Sequence, residues 1–106
     1  MPEASYDRRP MQKITTTIRR EFLKEIIAKR KTVEYREIKD YWEKRLRGMN
    51  TPFSLRLING MSKTAPEVTV EVIKINRNRD KGRFELRLGR IHEVKNWDRR
   101  REQPKY

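Results

Sequence analysis

Apolar residues at Ile18, Phe22, Leu23, Ile26 and Ile27 recur at helical spacing, with Arg19, Arg20, Lys24 and Lys29 on the opposite side. The pattern predicts an amphipathic helix over 18–28, with Thr16 or Thr17 as its N-cap. Before it, residues 11–17 are rich in β-formers and read as a short strand or a lead into the helix. The period then changes. Residues 32–36 alternate, so a strand there sends Val33 and Tyr35 to one face and Thr32, Glu34 and Arg36 to the other. Helical spacing returns at Ile38, Tyr41, Trp42 and Leu46 and ends at Gly48, placed as a helix C′ glycine. Tyr41 and Trp42 are read as core anchors of this second helix.

Beyond the turn at 49–52 the pattern alternates to the end of the apolar sequence. Phe53, Leu55 and Leu57 form one run, Val68, Val70 and Val72 a second, and Phe84, Leu86 and Leu88 a third. A Gly- and Pro-punctuated loop at 59–66 separates the first two, and a basic hairpin tip at 76–83 the last two. At Ile73 and Ile75 the apolar phase slips, which predicts a bulge or bend that buries both sides of the strand. Ile91 to Trp97 reads as a final short strand or turn, with Val94 and Trp97 closing the core. Residues 1–10 have two prolines and no period and read as a flexible arm; 99–106 read as a basic tail; 11–98 read as one domain. The whole predicts an α+β fold, a curled sheet or small barrel of five or six strands with two helices packed at one end.

Charge changes this picture more than any single residue does. Lys and Arg number 28 against 15 Asp and Glu, a formal net charge of +13, while only 34% of residues are hydrophobic. Much of the chain must therefore be solvated, and so basic a surface suits polyanions, RNA or another nucleic acid first. Docking on an acidic protein partner is the competing use of the same charge. The absence of cysteine excludes disulfides, thiolate zinc sites and thiol catalysis. No apolar run is long enough to span a membrane and residues 1–10 lack a signal-peptide core, so a cytoplasmic monomer is the simplest expectation. No glycine-rich phosphate loop, paired histidines or readable Ser, His and Asp set is present, and His92 reads as a structural or surface group. The expected cofactor and metal complement is none.

The candidate chemistry lies in Lys29-Arg30-Lys31-Thr32-Val33-Glu34-Tyr35-Arg36, where a strand would hold Glu34 and Arg36 about 7 Å apart on one face. This octapeptide resembles the ASCH (activating signal cointegrator homology) family, a branch of the PUA-like superfamily. That family's pattern is a helix followed by Gly-x-Lys-x-x-Glu-x-Arg; Lys31, Glu34 and Arg36 match it, and Lys29 stands at the glycine position. The similarity extends from residues 14–18 through 52–60 to 94–98, and is to the small stand-alone bacterial and phage members.

The resemblance implies a PUA-like curled barrel with a cleft between barrel and helices, into which Lys31, Glu34 and Arg36 point, and it implies binding of RNA or a modified base. The candidate contacts are Lys31, Glu34 and Arg36, Arg19 and Arg20 from the first helix, and Arg56, Asn59 and Lys63 from the third strand and its loop. Arg36 suits bidentate phosphate contact and Lys31 a point contact. Glu34 would accept from a base edge or ribose hydroxyl, or act as a general base on a 2′-hydroxyl, with Lys31 as its catalytic partner. The second role makes a ribonuclease. The family also contains amidohydrolases of acetylated cytidine, whose threonine nucleophile three residues after the lysine is replaced here by Glu34. Flanking cations make a carboxylate a weaker base, which favours binding.

Overall fold

Along β3 (Phe53–Ile58), Phe53, Leu55 and Leu57 are fully buried, the inward half of an alternating strand. It pairs antiparallel with β4 (Glu67–Asn78), which pairs in turn with β5 (Arg83–Lys95). The flanks are β1 (Lys13–Thr17), parallel to β3, and β2 (Val33–Glu37), antiparallel to β5. The result is a five-stranded mixed sheet in the order β1-β3-β4-β5-β2. Helix α1 (Arg20–Ile27) joins β1 to β2, and α2 (Asp40–Leu46) joins β2 to β3. This small α+β protein is described by a computed structural model over residues 11–106; the expected arm at 1–10 lies outside the described residues.

In a flat sheet β1 and β2 would lie four strand spacings apart, about 19 Å. Yet Arg36 of β2 donates from Nη2 to Thr17 O of β1 at 2.9 Å. The sheet is therefore strongly curled, and a side chain, not a backbone ladder, bridges its two edges. Arg45 ties α2 to the same edge, donating from Nη2 to Thr15 O of β1 at 2.8 Å. These arginines satisfy carbonyls that the parallel ladder leaves facing outward. The curl encloses one core, with Leu23, Ile26 and Ile27 of α1, Trp42 and Leu46 of α2, and the inward residues of β3, β4 and β5.

Several sequence expectations need correction. The first helix begins at Arg20, and its N-cap is Arg19 with no side-chain cap bond, because Thr16 and Thr17 are used in β1 opposite Leu57 and Ile58. Phe22 and Tyr41 are not core residues: each lies at the border of its helix stripe, and they are 39% and 56% exposed. Trp42 is buried as expected, and Gly48 has the positive φ of a C′ residue. The register of β4 against β5 shifts between Thr69 and Lys74, the expected irregularity, but only Ile75 packs against the core. Ile73, on the opposite side of the strand, is exposed.

The C-terminal segment is not a loose tail. β5 runs on to Lys95, the left-handed Asn96 turns the chain, and β6 (Trp97–Asp98) pairs with β7 (Gln103–Pro104). Trp97 is buried in the core, and Lys105 N–H donates to Asn96 O at 3.1 Å.

Candidate nucleic-acid cleft

The cleft begins with the way α1 ends. Lys29 N–H donates to Ile26 O at 3.0 Å and Arg30 N–H to Glu25 O at 2.9 Å, the paired bonds of a Schellman motif. Such an ending needs a left-handed residue at C′, and Lys29 takes it with φ 65°. The reversal sends the chain directly into β2, where alternation decides the rest. Glu34 lies opposite Leu86 and Arg36 opposite Phe84, so both point to the side of the sheet that carries the core. Glu34 is only 4% exposed.

A carboxylate at that depth must be paired. Arg36 donates from Nε to Glu34 Oε2 at 2.8 Å, with its Nη2 at 2.7 Å from the same oxygen. Among the described residues Oε1 has only the Lys31 ammonium, at 3.5 Å. Lys31 is itself held, donating to Val33 O at 2.7 Å and lying over the rings of Tyr35 (4.8 Å) and Phe22 (5.3 Å). Arg36 stacks over Trp42 at 5.2 Å, and its Nη1 makes no hydrogen bond among the described residues.

Glu34 and Arg36 line a cleft of about 650 Å³ between the two helix starts and the ends of β1 and β2. Arg19, Phe22 and Asn59 border it on one side, Lys39, Tyr41 and Trp42 on the other. Tyr41 meets Trp42 edge to face, and its hydroxyl accepts from Arg45 Nη1 at 2.6 Å. The cleft thus combines aromatic surface, cations and two carboxylates, Glu34 and Glu37, the latter 3.3 Å from Lys39; rings and cations of this kind can stack a base and hold a phosphate.

The expected contacts fall into three groups. Lys31, Glu34 and Arg36 meet, but Lys31 lies behind Glu34, facing a smaller hollow of about 120 Å³ beside Ile26 and Leu88. Arg19 and Asn59 line the cleft, and Arg20 reaches its border, donating from Nε to Asn59 Oδ1 at 2.9 Å. Arg56 and Lys63 are elsewhere. Arg56 forks onto Glu67 at 2.8 and 2.9 Å, which holds that carboxyl below its ordinary range, while Lys63 is exposed in the loop before β4. Phe22, Lys39 and Tyr41 were not expected in the cleft. The signal available for the aromatics was their place at the borders of the apolar stripes.

His92 lies 4.0 Å from Glu71, away from the residues of the cleft. Among the described residues no cluster of acidic side chains and histidine could hold a metal, and no helix is long and apolar enough to cross a membrane. No protein-family model matches the chain, and no curated protein matches it.

Proposed function

We propose that this chain is an RNA-binding module of the ASCH type, with a PUA-like curled barrel whose cleft takes one nucleotide of a single strand. The observation that carries this reading is Glu34, a nearly buried carboxylate lining an open cleft with, among the described residues, only one oxygen hydrogen-bonded. Its Oε1 is an acceptor for a base amine or ribose hydroxyl, and Arg36 Nη1 is a donor for a phosphate or base carbonyl. Tyr41 and Trp42 offer ring surface beside them. Lys29 adds support for the family: its left-handed φ falls where the ASCH pattern has glycine.

Binding fits the site better than hydrolysis does. Arg36 reaches one oxygen of Glu34 with two nitrogens and Lys31 lies 3.5 Å from the other, which fixes the orientation of the carboxylate toward a ligand. Fluorescence anisotropy with single-stranded RNA over a salt series tests the reading. Tight binding that weakens with salt, and that weakens further in Arg19→Ala and Lys39→Ala, is expected. Affinity indifferent to salt and to both substitutions would refute it, and product formation abolished in Glu34→Gln would replace it with a hydrolase.

A further inference from the structure

The three adjacent arginines at 99–101 sit on a turn that the fold holds in place. Trp97 anchors one side in the core, and Asp98 Oδ1 accepts the backbone N–H groups of Arg100 and Arg101, both at 3.0 Å. On the other side Glu102, left-handed at φ 54°, is gripped by Arg30, whose Nη2 lies 2.5 Å from its carboxylate. The two acids nearest the turn are thereby engaged, Asp98 by the turn's backbone and Glu102 by Arg30. Arg99, Arg100 and Arg101 are exposed, and among the described residues none makes an ion pair.

This turn abuts α1 at the end opposite the cleft. Lys24 and Arg99 line one small hollow of about 120 Å³, together with Ala28, Trp97 and Glu102, whose carboxylate is held by Arg30. Lys24 lies one helical turn from Arg20, about 6 Å along the axis. Arg20 in turn is bonded to Asn59 of the cleft wall. A line of cations therefore leaves the cleft at Arg19 and Arg20, passes Lys24 and reaches Arg99. The acids of α1 interrupt it little: Glu25 is forked by Arg30, and only Glu21 is exposed without a partner among the described residues.

We propose that the outer side of α1 and the arginine turn form a track for the backbone of the same single-stranded RNA, next to the nucleotide held in the cleft. This inference rests on the cleft reading above and extends it to a second, sequence-independent contact. Arginines carried on a backbone turn that is already held suit phosphate better than those of an unstructured segment would, because less backbone freedom is lost on contact.

The test compares oligouridylates of about 3 and about 12 nucleotides, the first shorter than a typical single-strand site and the second long enough to fill one. In wild-type protein the longer strand should bind more tightly. The triple variant Arg99→Gln, Arg100→Gln, Arg101→Gln should bind the long strand roughly ten- to hundredfold more weakly at 0.1 M salt, with a salt slope reduced by about 2, and the short strand unchanged. A control with equal charge removed from the strands, Lys74→Gln, Arg87→Gln, Arg90→Gln, should keep most of the long-strand affinity. Equal losses in the two triple variants, or no loss in the first, would overturn the track. Arg19→Ala separates the two levels: it should weaken both lengths, and its failure to do so refutes the cleft, whereas an Arg19 effect without a turn effect refutes the track alone.

Discussion

Arg36 joins the two edges of the sheet: from β2 it donates to Thr17 O on β1 while the same guanidinium holds the buried carboxylate of Glu34. One side chain thus spans the two sheet edges and holds the carboxylate of the cleft in place. Removing it should leave Glu34 buried with Lys31 as its remaining partner, costing about 3 kcal/mol. Urea unfolding of Arg36→Ala measures this. The paired replacement Glu34→Leu with Arg36→Met should recover most of the stability and still fail to bind RNA, since an apolar pair removes the unpaired charge and the recognition groups together. If the double variant binds as wild type does, these residues serve the fold only.

Lys29 holds a backbone conformation that costs a residue with a Cβ about 1–2 kcal/mol. Glycine loses more chain entropy on folding, so Lys29→Gly should stabilise by about 0.5–1 kcal/mol net. A raised urea midpoint with unchanged slope is the expected result. A lowered midpoint would mean that the Lys29 side chain contributes more than its conformation costs.

Acid should act on the outer face of the sheet. Glu85 accepts from Asn76 Nδ2 at 2.8 Å, Asn78 Nδ2 at 3.0 Å and Arg83 Nε at 3.0 Å. These bonds to the ionised form lower its pKa from the ordinary 4.5 to about 2. A carboxyl depressed in the folded state contributes stability that is complete above 4.5 and disappears as pH falls through about 2. Thermal midpoints of wild type and Glu85→Gln should therefore differ at neutral pH and converge on acidification across that window. A gap that stays constant down to pH 2 would show that Glu85 is not the titrating group.

Much of this was legible in the chain, and the rest was hidden for physical reasons. Alternation at 32–36 sufficed to put Glu34 and Arg36 on one face, because a strand has no other choice. Helical spacing located α1 and α2 but did not decide the borders of their stripes, so Phe22 and Tyr41 read as core although the curl leaves them at the cleft. Arg56 looked like a ligand contact because its partner Glu67 lies on a neighbouring strand, beyond any local pattern. Strands of two residues carry no period, and so β6 and β7 could not be read from Trp97 or Gln103. The opening between β1 and β2 depends on long-range curl, which no local signal encodes.

The two tryptophans provide the most direct measurement of the central claim, since Trp42 lines the cleft and Trp97, in β6, is buried in the core away from it. Nitrogen-15 spectra resolve their two indole N–H signals during titration with a short single-stranded RNA. The Trp42 signal should move in step with binding while that of Trp97 stays in place. Binding that leaves Trp42 unmoved, or moves Trp97 alone, would put the ligand elsewhere and contradict the cleft as the site of recognition.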